Sequence, residues 1–124
     1  IILIHFDAHL DTYPATYGED VWHGSPFRKC FEDNLIDIQH SIHIGTRNTI
    51  WSHKDFIDDE KMGFKTILCK DVHKYGCEWT FNQILKRIDS NTNNNVYISL
   101  DIDVLDVSQA PGTGTPEVAG LFTH

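Results

Sequence analysis

The run Ile1 to Phe6 (IILIHF) restricts the fold more than any other stretch, because it is short, almost wholly apolar, rich in β-branched residues and followed at once by Asp7-Ala8-His9-Leu10-Asp11. Such a run reads as a strand buried on both faces, as central strands of parallel sheets are. Three similar runs follow, Ser41 to Thr46 (SIHIGT), Lys65 to Cys69 (KTILC) and Val96 to Leu100 (VYISL). Segments of helical period separate them. Ser25 offers an N-cap with Pro26 at the first helical position, and Phe27, Cys30, Phe31 and Leu35 share one face. Ser52 to Glu60 reads as a second, weakly apolar helix. In Glu78 to Ile88 the residues Phe81, Ile84, Leu85 and Ile88 stand at i, i+3, i+4 and i+7, and the polar run SNTNNN then breaks the helix. Strands alternating with helices predict an α/β domain with a mainly parallel sheet. With 124 residues the chain can bury one sizeable core but not two. Because it opens in a strand and closes in a loop, the expectation is a single partial domain over 1–124, lacking N-terminal and C-terminal parts.

A formal charge of −8 argues against a nucleic-acid partner, which calls for clustered Lys and Arg. Divalent metals and cationic ligands suit it better, although an acidic balance also serves solubility alone. Cys30, Cys69 and Cys77 are odd in number and lack CxxC spacing, so neither a disulfide framework nor a structural zinc site is indicated. A reducing compartment follows. No apolar stretch approaches the roughly 20 residues of a membrane span, so no membrane partner is expected. The expected location is the cytoplasm, or an organelle if a targeting segment precedes Ile1.

The chemistry gathers at two strand ends. The first strand runs into Asp7, His9 and Asp11, and the fourth into Asp101-Ile102-Asp103. Ligands of parallel α/β sheets collect beyond the carboxyl ends of strands. If these strands are neighbours, four carboxylates and an imidazole converge on one volume, where they would repel and raise one another's pKa unless a cation sat among them. Oxygen-dominated ligation without thiolate suits Mn²⁺ better than zinc or copper. Two divalent ions neutralise the four aspartates, and a bridging hydroxide would leave the centre at about −1. A lone DxHxD is a weak signal, since Asp and His also fill loops and cap helices; a matching DxD after a second apolar strand makes capping by all five residues a poor account. Two-metal phosphoester hydrolysis is the competing metal chemistry, but it calls for further His or Asn ligands and for cationic groups that these loops do not offer.

Taken together, DAHLD at Asp7 to Asp11, HGSPF at His23 to Phe27, and SLDIDVLD followed by APGTGTPE at Ser99 to Glu117 resemble the ureohydrolase family of arginase, agmatinase and guanidinobutyrase, in the family's order and over nearly the whole chain. APGTGTPE and HGSPFRKC look more like agmatinases and their guanidino-acid relatives than like arginase. The resemblance implies a three-layer α/β/α domain and two Mn²⁺ per subunit. It assigns Asp7 and Asp101 as bridging ligands, Asp11 as completing one site, and His9 and Asp103 as completing the other. The first site's imidazole and the acid that holds the guanidinium would come from segments outside this sequence. His23 matches a loop histidine thought to relay protons, a role that an imidazole titrating near neutrality can fill, and Asp11 would also orient the attacking hydroxide. His5, His40, His43, His53 and His73 match no ligand position and are read as packing or surface residues. Gly112 and Gly114 are read as permitting a tight turn that side-chain-bearing residues could not follow. Arg47 is read as a structural ion-pair partner. Val107 departs from the family, where many relatives have proline.

The implied reaction is hydrolysis of a small cationic guanidino substrate to urea and an amine, with agmatine to putrescine preferred and a guanidino acid such as 4-guanidinobutyrate as the close alternative. A non-catalytic member kept for assembly or regulation is the reading from another class, and four clustered carboxylates argue against it. Family resemblance also implies a homo-oligomer, a trimer or hexamer.

Overall fold

A computed structural model of the chain describes residues 1–16, 18–47, 52–88 and 95–123. Four parallel strands, β1 (Ile2–Phe6), β2 (Ile42–Thr46), β3 (Lys65–Leu68) and β4 (Val96–Leu100), form one sheet in the order β3-β2-β1-β4. Three helices accompany them: α1 (Pro26–Glu32), α2 (His53–Met62) and α3 (Cys69–Ile88). Single 3₁₀ turns cover Ile38–His40 and Ile102–Val104.

The period-two alternation of β1 sorts its side chains into two layers. Ile4 joins Ile42, Ile44 and Ile67 against Val72 and Ile84 of α3. Leu3 faces the other way, toward Ile38 and Phe64, with Phe27 and Phe31 of α1 and Met62 of α2 packed around them. Helices therefore cover both faces, and the expected three-layer α/β/α arrangement is what the chain adopts. As expected, β1 is buried on both sides and pairs with β4, Phe6 lying opposite Leu100. That register is what carries Asp7 and Asp101 to the same edge.

Local expectations hold unevenly. Ser52 does cap α2: its hydroxyl accepts from Lys54 N at 2.9 Å while Asp55 accepts from Ser52 N at 2.8 Å, a reciprocal box. Gly63 closes that helix in the left-handed region at φ 107°. Ser25 makes no side-chain cap for α1, because its hydroxyl is turned to the backbone of Trp22. Leu35 lies beyond the end of α1 and is exposed. The predicted helix Glu78 to Ile88 is the second part of α3, which starts at Cys69 and bends at Gly76, where φ 83° and ψ 173° leave helical geometry. On α3, Ile84 is buried, but Phe81 and Leu85 of the same predicted stripe are exposed. Most of the SNTNNN run lies outside the described residues; α3 is described to Ile88 and β4 begins at Val96. Among the described residues no helix is long and apolar enough to cross a membrane.

Candidate metal centre

Beyond the carboxyl ends of β1 and β4, Asp7, His9, Asp11, Asp101 and Asp103 line one cavity of about 570 Å³, with His23, Tyr13 and Thr113 to Thr115 along its walls. All five ligand candidates read from the sequence thus reach a common space. They do so from three local structures: β1 delivers Asp7 directly, the irregular turn after it presents His9 and Asp11, and the 3₁₀ turn after β4 holds Asp101 and Asp103.

Asp7 is the hub. One of its oxygens accepts from the backbone N–H of His9 at 2.6 Å and lies 3.1 Å from His9 Nδ1; the other is 3.0 Å from His5 Nε2. Burial pushes the Asp7 carboxyl up, but the bonds from His5 and His9 outweigh that and hold it well below the usual carboxylate range. His9 Nδ1 is also 3.1 Å from Asp103 Oδ2, and bonds to Asp103 and then Asp7 carry its pKa to about 10. Asp103 is tied down on both oxygens, by Ala8 N at 3.1 Å and by the Thr115 hydroxyl at 3.1 Å. Its neighbour Asp101 caps the 3₁₀ turn by accepting from Asp103 N at 2.9 Å, and burial raises its pKa. Asp11 is lifted to about 8, by burial first and then by the charge of Asp7. It also stands at φ 56°, a left-handed conformation that a non-glycine residue holds at a cost of order 1–3 kcal/mol and that clusters at functional sites.

Two sets of ligand atoms lie within 4.8 Å of one another, Asp7 with His9 and Asp103, and His5 with Asp7 and Asp11. Asp7 belongs to both. An all-oxygen and imidazole donor set with a raised Asp11 and a shared Asp7 fits divalent cations, which would offset the burial, and then the repulsion from Asp7, that raise Asp11.

The surroundings correct three readings. His5 and His43 are neither surface nor plain packing residues: both are fully buried, with their Nδ1 atoms 2.8 Å apart. Nothing in their sequence context marks this; only the parallel register, which sets His5 opposite His43, does. Arg47 donates to carbonyl oxygens rather than to a carboxylate: Asp103, Val104, Leu105, Glu117, Val118 and Gly45, at 2.7 to 3.3 Å. It thereby clamps the turn carrying Asp103 to the segment after the Pro-Gly-Thr-Gly-Thr-Pro run. In that run, a Cβ on Gly112 or Gly114 would meet nothing within 4 Å, so neither glycine is required for space. The close approaches are at Gly45, where a Cβ would lie 2.5 Å from Val104, and Gly120, where it would lie 2.3 Å from Asp106 N. His23 is exposed at the cavity wall, its ring edge-on to Trp22 at 4.6 Å. Glu117, not singled out as a site residue beforehand, sits 3.8 Å from His9 Nε2.

A parallel α/β sheet that collects carboxylates and imidazoles beyond the ends of adjacent strands defines the class, an α/β domain with its candidate site at the strand ends. The chain belongs to the arginase family, whose model matches residues 1–124. It is 36% identical over 119 residues to the mitochondrial guanidino acid hydrolase of Homo sapiens, covering 96% of this chain and 33% of that protein. It is 39% identical over 123 residues to the agmatinase of Chromobacterium violaceum, covering 99% and 35%. The solved structure of proclavaminate amidino hydrolase from Streptomyces clavuligerus superposes with a TM-score of 0.85 at 35% identity, covering 98% of this chain and 38% of that one. The chain thus spans about a third of the length of such curated relatives.

Proposed function

We propose that the protein to which this chain belongs is a dimanganese hydrolase that cleaves a linear guanidino compound to urea and an amine. One observation supports the reading most: Asp7, His9, Asp11, Asp101 and Asp103 line one cavity together with His23. In this reading Asp7, His9, Asp11, Asp101 and Asp103 would hold the two ions. A bound ion pair supplies charge neutralisation and a water of lowered pKa, from 15.7 toward about 7. Asp11 would take a hydrogen bond from the attacking water and so orient it. Water adds to the guanidinium carbon, the bond from that carbon to the alkylamine nitrogen breaks, and His23 gives a proton to the departing amine.

Agmatine is the preferred substrate, on the likeness of HGSPFRKC and APGTGTPE to agmatinases and the 39% identity to the agmatinase of Chromobacterium violaceum. A guanidino acid is the second reading, favoured by the similarity to the human guanidino acid hydrolase. In keeping with the family, the subunit assembles as a trimer or hexamer, in the cytoplasm or an organelle.

The test is metal content and urea release of the full-length protein with agmatine, 4-guanidinobutyrate and arginine, with and without Mn²⁺. Roughly two Mn²⁺ per subunit and urea from one substrate support the reading and name the substrate. Bound metal without urea from any of the three overturns the reaction, and no bound metal overturns the centre itself.

A further inference from the structure

We propose that His5, His43 and Asp59 form a buried positioning relay that fixes the Asp7 carboxylate and couples it to helix α2. The proposal rests on the metal-centre reading above and adds residues that the ligand set does not contain.

The relay follows from register. His5 on β1 lies opposite His43 on β2, and His43 lies opposite Thr66 on β3, so the three side chains form a polar row on one face of a parallel sheet. That face is otherwise the apolar layer of Leu3, Ile38 and Phe64. His5, His43 and Asp59 are each at most 1% exposed. Polar groups this deep cost free energy unless each finds a partner; here both nitrogens of His5 and both oxygens of Asp59 find one, and His43 finds one through Nδ1. His5 Nε2 meets Asp7 Oδ2 at 3.0 Å, His5 Nδ1 meets His43 Nδ1 at 2.8 Å, and His43 Nε2 lies 3.4 Å from Asp59 Oδ1. Asp59 is anchored in turn by the hydroxyls of Thr12 at 2.7 Å and Thr66 at 3.3 Å. The last link is a 3.4 Å contact and not a hydrogen bond: a neutral His43 with its proton on Nδ1 has none on Nε2 to give, so Asp59 bounds the His43 ring by position rather than by a bond.

A bond between two Nδ1 atoms needs one donor and one acceptor. A neutral His5 that donates from Nε2 to Asp7 has only a lone pair on Nδ1, so His43 must be the donor at the centre of the chain. The His5 N–H toward Asp7 and the His43 N–H toward His5 therefore require one another, and losing the His43 donor would leave the buried Nδ1 lone pair of His5 unpaired. A carboxylate such as Asp7 that would help hold metal has to keep its direction within a narrow range, and partners behind a ligand commonly change metal affinity by about 10–100-fold. The flanking aromatic rings add steric definition: Phe27 stands 4.5 Å edge-on to His5, and Phe64 stands 4.3 Å from His43.

The test uses the full-length protein, with Mn²⁺ as the probe, titrated by calorimetry and by the EPR signal of the free ion. His43→Leu removes the central donor, His43→Asn restores an amide N–H near the Nδ1 position, and Asp59→Asn loosens the far anchor while keeping its shape. The expected result for His43→Leu is Mn²⁺ affinity weakened by about 10–100-fold, with KM at saturating Mn²⁺ unchanged. His43→Asn should recover most of that loss, and Asp59→Asn should fall between. If His43→Leu does not fold, the ordering of His43→Asn and Asp59→Asn against wild type carries the same decision. Affinities all within twofold of wild type, with only the melting temperature lowered, would make the row a core-packing feature and overturn the relay alone. Wild-type protein that binds no Mn²⁺ overturns the metal centre and the relay together. A His5→Gln variant that loses one whole ion per subunit makes His5 a ligand and likewise overturns the positioning role.

Discussion

At the scale of single residues, the two most perturbed groups predict how the centre responds to protons. Asp11, at about 8, and His9, at about 10, are both protonated at pH 7 when no cation is present. Their effects on the metal-free fold have opposite signs. Asp11 is harder to ionise folded than unfolded, so it removes stability as pH rises from its unfolded value toward about 8. His9 holds its proton more tightly folded, so its contribution is full below its unfolded pKa and is lost as pH climbs through about 10. A cation must displace both protons, so Mn²⁺ binding at pH 7 is expected to release on the order of two protons per subunit and to strengthen with pH. Calorimetry in phosphate and in Tris, whose ionisation enthalpies differ, measures the release directly; equal heats in the two buffers would refute it. His23 makes a separate prediction. His23→Asn should lower kcat by roughly 10²–10⁴-fold, the range of a lost general acid, with KM little changed, and a mainly raised KM would instead place His23 in substrate binding.

At the scale of elements, the centre depends on turns that strands deliver and other side chains hold. Arg47, buried and spread over carbonyls from both the Asp103 turn and the Glu117 segment, keeps those loops in register. Lysine cannot copy the planar fork, so Arg47→Lys should cost at least about 2 kcal/mol in urea denaturation and should also weaken Mn²⁺ binding. A loss confined to the surface range, about 0.5 kcal/mol or less, would show that the clamp is dispensable. On α2, Ser52→Ala removes the capping box and should cost about 1 kcal/mol; because the helix carries Asp59, its fraying tests the same coupling from the other end. Gly45 is the backbone counterpart. At φ 101° and with Val104 2.5 Å from a would-be Cβ, Gly45→Ala combines left-handed strain with a clash, and soluble yield with near-wild-type stability would contradict the packing described. Sequence reasoning located these elements from periodicity and caps, but it placed the burden of close approach on Gly112 and Gly114, whose neighbourhood is open. Spacing in a sequence does not report which backbone another chain segment will approach.

At the scale of the whole molecule, the proposed centre would make metal and fold stabilise one another. An ion that binds only the folded state adds about 2.7 kcal/mol at a free concentration of 100 times its Kd, so Mn²⁺ should raise the melting temperature of the full-length protein and a chelator should lower it. No shift on chelation would argue against a metal joined to the core of the sheet. The α/β class, the four strands and the five ligand candidates were legible in the sequence, because apolar runs of strand length end directly in Asp and His and local periodicity is written in adjacent residues. Tertiary structure alone decided the rest. Strand order brought Asp7 beside Asp101, the β1 and β2 register set His5 against His43 below the site, and loop packing turned Arg47 onto carbonyls. Those contacts join residues tens of positions apart, and the partner of a buried polar group is fixed only when the chain has closed around it.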